Sequence, residues 1–144
     1  MTADVLFEQE GSQYGTLNSR EDFGLVFTTK TIGTPSVVTK IVDIVGRGPV
    51  DLSEVVTGGI TYGNREITIG FEYIGTAAEW QAEMHLINNA IHGKRLKVTF
   101  CDDEEYYYIG RCSVEYKPNG STLSVTVKVT ADPYKYDGAG GAYV

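Results

Sequence analysis

Two stretches of this chain alternate apolar and polar residues with a period of two, and that pattern constrains its fold more than any other feature. Ile67, Ile69, Phe71 and Tyr73 alternate with Glu66, Thr68, Gly70 and Glu72 within a segment running from Ile60 to Ile74. Leu123, Val125, Val127 and Val129 alternate in the same way with Ser124, Thr126, Lys128 and Thr130. Successive side chains of a strand leave opposite faces of a sheet, so each stretch reads as a strand with one face in a core and the other in water. On a helix the same residues would spread their apolar groups around the whole cylinder.

The alternation recurs through Leu96, Val98 and Phe100. The acidic run Asp102, Asp103, Glu104 and Glu105 then makes a turn, and Tyr106 to Tyr116 returns as the second strand of an antiparallel hairpin. A turn centred between Asp103 and Glu104 sets Cys101 near Tyr106 and Cys112 near Arg95, too far apart for a disulfide. Pro118-Asn119-Gly120 is a further turn signal, ahead of the last alternating strand. Upstream, Asp22 to Thr29 reads as a strand closed by Gly33, Thr34 and Pro35. Val37 to Val45 reads as another, broken by Gly46, Gly48 and Pro49.

One segment departs from period two. Thr76 stands three residues before Glu79, the spacing at which hydroxyl and carboxylate satisfy two orphan amides at a helix start. Trp80, Met84, Ile87 and Ile91 follow at helical spacing, and Gly93 supplies a stop. The spacing predicts one α-helix over about residues 76–92. The fold class is therefore α+β and mainly β: an antiparallel β-sandwich or partly closed barrel with β-hairpins and that helix. A length of 144 residues suits a single core. We divide it into an N-terminal strand or arm (1–20), one β-rich domain (21–136) and a flexible tail (137–144) carrying Gly138, Gly140 and Gly141.

Nineteen acidic residues against twelve basic ones give a net charge of −7, which repels nucleic acid and anionic membranes. No stretch approaches the roughly 18 apolar residues of a membrane span. The first residues lack the basic start and apolar run of a signal peptide, so synthesis and assembly in the cytosol are expected. His85 and His92 lie seven apart with no Cys or carboxylate at zinc-site spacing, and read as a solvated helix face. No nucleophile has a base at credible spacing, and Gly46-Arg47-Gly48 lacks the GxxxxGK[ST] pattern of a phosphate loop. The acidic run suits a solvated turn better than a calcium site or a glycosidase pair. Tyr106, Tyr107 and Tyr108 are a possible stacking platform, although alternate rings on a strand face opposite sides. No catalytic residue, metal or cofactor is expected.

Several segments together carry a family resemblance: Ile41-Val42-Asp43-Ile44-Val45-Gly46-Arg47, Tyr62-Gly63-Asn64-Arg65-Glu66-Ile67, Trp80 on a helix ending in Ile91-His92-Gly93-Lys94, Asp102-Asp103, Tyr106-Tyr107-Tyr108, Gly110-Arg111, and Asp132-Pro133-Tyr134-Lys135-Tyr136. In order and spacing this resembles the N-terminal domain of siphovirus distal tail proteins. The loop after Arg47 reads Gly48-Pro49-Val50 instead of the family's longer acidic turn, and no second domain follows Tyr136 within these residues.

The resemblance implies a hexameric ring between the tail tube protein and tail-tip proteins, its lumen passing DNA without specific binding. It implies a location in the virion tail after assembly in the host cytoplasm, with no membrane partner. Gly46, Arg47, Tyr62, Gly63, Asn64, Arg65, Trp80, Gly93, Tyr107, Gly110 and Arg111 become structural or assembly positions, with Arg65 as an ion-pair or carbonyl partner. Lys94 and Arg95 are candidates to meet Asp102, Asp103, Glu104 and Glu105 across subunits. The alternatives are a tail tube protein and a carbohydrate-binding sandwich using the tyrosines.

Overall fold

The two alternating stretches pair with each other. A computed structural model describes residues 4–9, 16–39, 41–46, 48–52 and 60–144. In chain order the strands are β1 (Val5–Glu8), β2 (Thr16–Asn18), β3 (Val26–Ile32), β4 (Val37–Val38), β5 (Ile41–Ile44), β6 (Gly48–Asp51), β7 (Thr61–Tyr62) and β8 (Arg65–Ile74). Helix α1 (Ala77–Ala90) follows, then β9 (Arg95–Phe100), β10 (Tyr106–Asn119), β11 (Thr122–Ala131), β12 (Lys135–Asp137) and β13 (Ala142–Tyr143). In the β8–β11 ladder Ile67 lies opposite Val129, Ile69 opposite Val127 and Phe71 opposite Val125, so the two apolar faces coincide.

The main sheet runs β2-β1-β9-β10-β11-β8-β3, with β12 beside β10 and β13 beside β12, and every pairing is antiparallel. Its ends do not join, so the sheet is not closed into a barrel and is consistent with the anticipated β-sandwich. One face holds a continuous core from Phe7 through Val98, Cys112 and Val127 to Ile69 and Phe71. Ile87 and Ile91 enter that core, with Trp80 and Met84 packed beside them. The sheet folds over this core far enough that Lys30 of β3 sets its ammonium 4.5 Å from the Phe100 ring centre at the end of β9. α1 is the single α-helix among the described residues; its Thr76 N-cap and Glu79 form the anticipated capping box.

Several boundaries differ from those read in the sequence. Val5 and Phe7 are fully buried and β1 pairs with β9, so residues 5–8 and 16–18 belong to the core sheet. Phe23 and Leu25 are buried, but in a turn held by the Asn18 side chain, and β3 starts only at Val26. The strand anticipated over Val37 to Val45 is two strands, because β4 pairs with β7 and β5 with β6. His92 lies beyond the helix, where its Nδ1 accepts from the Val114 N–H at 3.0 Å. Gly93, at φ +79°, reverses the chain and donates its N–H to the Cys112 carbonyl at 2.7 Å.

A short 3-10 turn at Cys101–Asp103 moves the hairpin register by one residue from the centre anticipated between Asp103 and Glu104. Arg95 therefore faces Arg111, and the Cys112 N–H meets the Lys94 carbonyl. Both cysteines are free thiols. The glycine-rich end, anticipated as a flexible tail, folds back as the β12–β13 hairpin. Asp137 organises it: one carboxylate oxygen accepts from the Ala139 and Gly141 amides and the other from the Tyr143 hydroxyl.

Candidate assembly surface

The Tyr62–Arg65 segment and the Asp132–Tyr136 segment, far apart in sequence, converge beside the β9–β10 hairpin. Arg65 opens β8 and is only 6% exposed. Its Nε and Nη2 donate to the Pro133 carbonyl at 3.2 and 2.8 Å, and its guanidinium lies 5.4 Å from the Tyr108 ring centre. Of the two roles anticipated for it, Arg65 takes that of carbonyl partner. Next to it the Asp132 carboxylate receives Arg95 Nη2 at 2.5 Å, and the Asp132 N–H donates to the Ile109 carbonyl.

A run of tyrosines continues outward. Tyr62 meets Tyr134 edge-on, Tyr134 meets Tyr136, and Tyr136 stacks on Tyr107 with ring centres 5.6 Å apart. Lys97 sets its ammonium 4.2 Å from the Tyr107 ring centre, and Lys135 lies 4.7 Å from that of Tyr106. Tyr108 turns into the core against Phe100, as the alternation requires. Tyr107 thus already carries an aromatic and a cationic partner, which leaves it poorly suited as an open platform for a sugar.

Of two glycines in this region, one is fixed by close approach. A Cβ on Gly110 would stand 2.6 Å from both the Ala131 Cα and the Thr130 carbonyl oxygen, at the end of the β10–β11 ladder. One on Gly63 would meet only the rotatable Ser36 hydroxyl at 2.3 Å. Gly46 holds the β5–β6 turn at φ +83°, whereas Arg47 lies outside the described residues. Trp80 sits on α1 against the core; its indole N–H has no partner among the described residues.

The charged candidates divide between the two ends of the β9–β10 hairpin. At the turn, Asp102 pairs with Lys30 at 2.6 Å, and Asp103 binds Lys135, whose ammonium that hydrogen bond holds above its ordinary pKa. Glu104 and Glu105 are exposed and form no ion pair among the described residues. At the other end Asn64, His92, Arg95, Arg111, Thr130 and Asp132 border a pocket of about 550 Å³. Lys94 is half-buried and lines a different pocket, beside Leu86 and Leu96. Burial pushes the Cys112 thiol up to about 12 and raises Cys101 as well, so neither presents a thiolate at neutral pH. No cluster of three metal-ligating side chains occurs among the described residues.

Sequence reading named most of this cluster but missed Lys30 and Lys97. An isolated lysine on a strand announces nothing until the partner ring or carboxylate is in place.

Compared with solved structures, the chain matches the Dit protein (gp 19.1) of phage SPP1 over 92% of its length, with a TM-score of 0.67 at 19% identity. The fold is that of a distal tail protein. SPP1 Dit is described as a paradigm of the hub adsorption apparatus of phages that infect Gram-positive bacteria. The match spans 52% of SPP1 Dit, so the distal-tail fold here corresponds to about half of that protein. No protein-family model matches the sequence, and no curated protein matches it.

Proposed function

We propose that this protein is a structural component of a siphovirus tail hub, forming a ring that joins the tail tube to the tip apparatus and leaves a channel for DNA. The observation that carries the reading is the fold shared with SPP1 Dit over 92% of the chain. In this reading the chain works by assembly, has no catalytic role, and resides in the virion tail.

Two features of the surface support self-association. Strands β4 and β7 pair with each other, as do β5 and β6, and Val37, Ile41 and Ile60 in or beside these strands are more than half exposed. Exposed apolar side chains gain by being covered by another chain. Among the described residues the outer edges of β2 and β3 are unpaired in the main sheet, and they offer backbone groups to a neighbour. The acidic net charge suits a channel through which DNA slides without adhering.

The test is the mass of the purified protein over a concentration series, with negative-stain images of the same samples. Closed rings are the expected outcome. Open tubes would transfer the protein to the tail tube, and a strict monomer at high concentration would overturn a self-assembling ring.

A further inference from the structure

Arg111 is a cation that the described residues answer incompletely. It lies directly opposite Arg95 in the β9–β10 ladder, and like charges in that position destabilise a strand pair unless a carboxylate intervenes. The one carboxylate bordering the pocket, Asp132, is engaged by Arg95. Glu66, two strands away, holds the Thr130 hydroxyl. Among the described residues Arg111 donates one hydrogen bond, from Nη1 to the Gly93 carbonyl at 2.7 Å, and its side chain is otherwise exposed. A guanidinium with donors to spare, beside His92 and Asn64 in a pocket of about 550 Å³, fits a carboxylate.

The same hairpin carries the complement at its other end. Asp102 and Asp103 are tied to Lys30 and Lys135, which fixes the turn, while Glu104 and Glu105 project from it unpaired among the described residues. Strand β9 separates the turn from the pocket by six residues, or about 20 Å at about 3.3 Å per residue. Pocket and turn therefore cannot meet within one chain. They can meet head to tail between copies, a heterologous contact that closes on itself as a ring or continues as a filament.

We propose that the Arg111 pocket receives the carboxylates of Glu104 and Glu105 from a second copy of this chain. The contact rests on the ring reading above and specifies which surfaces join. Each copy supplies one pocket and one acidic turn, so a closed ring leaves neither unmatched.

Charge reversal tests it. Arg111→Glu, the pair Glu104→Lys with Glu105→Lys, and the chain carrying all three changes are compared with the native protein by sedimentation and negative stain, with circular dichroism confirming each fold. Both reversals are expected to raise the concentration needed for rings by about tenfold or more, and the triple variant to restore it. The exposed turn variant keeps the test valid even if Arg111→Glu is unstable. Native rings with either reversal assembling normally, or with the triple variant failing to recover, would overturn the contact and leave the ring reading intact. A monomeric native chain would remove both.

Discussion

The Arg65 guanidinium donates two hydrogen bonds to the Pro133 carbonyl, joining the start of β8 to a segment 68 residues further along the chain. It fastens the Asp132–Tyr136 segment over the Tyr108 ring and thereby places the tyrosine run. Replacing Arg65 with Ala leaves that carbonyl without its charged partner, at a cost of about 2–3 kcal/mol. Arg65→Lys, which keeps the charge but loses the fork, should cost less. Urea unfolding of the two variants orders them, and an unchanged midpoint for Arg65→Ala would remove the role assigned to this bond.

Gly110 allows no side chain. Its Cβ would press on the Ala131 Cα and the Thr130 carbonyl, backbone groups that yield only by parting β10 from β11. Gly110→Ala should destabilise by about 1–3 kcal/mol. Gly138, where an added Cβ meets nothing within 4 Å, is the control and should tolerate Ala. Equal thermal midpoints for the two variants would contradict the close approach.

The Asp137 carboxyl is held below its ordinary range, first by the Gly141 amide, then by the Tyr143 hydroxyl and the Ala139 amide. A depressed folded-state pKa means that ionised Asp137 supports the β12–β13 hairpin above the unfolded value. That support fades as pH falls from around 4 through the folded value. Proton NMR should show the Tyr143 ring signals moving toward random-coil positions in that acid range while the core methyls stay put. Tyr143 signals that hold steady down to about pH 2 would show that the carboxylate does not organise the turn.

Burial separates the two thiols. Cys112 is 1% exposed and its thiol is pushed up to about 12, whereas Cys101 is half-buried and raised less far. A thiol reagent at mildly alkaline pH should modify Cys101 slowly and Cys112 only after unfolding. Mass spectrometry of the labelled protein decides it, and equal labelling of both in native buffer would refute the packing described for β10.

Local patterns were legible in the residues. The alternation through Ile67, Ile69 and Phe71 and through Val125, Val127 and Val129 predicted strands that exist, and Thr76 with Glu79 predicted the helix start that forms. The family motifs also pointed to residues that come together, since Tyr62, Arg65, Tyr107, Pro133 and Tyr136 share one corner of the fold. What failed was local reading applied to non-local partners. Val37 to Val45 looked like one strand, but its two halves find different partners, β7 and β6.

By itself the sequence determined the secondary structure wherever period, capping and turn chemistry act within a few residues, together with a mainly β fold class and an acidic surface. Only the tertiary structure decided that β1 lies beside β9, that β8 pairs with β11 across α1 and the β9–β10 hairpin, and that the glycine-rich end folds back on Asp137. It also left Arg111 facing Arg95 without a carboxylate of its own among the described residues. The reason is physical: a strand's face is written in its own alternation, but its neighbour is chosen by the packing of the whole core.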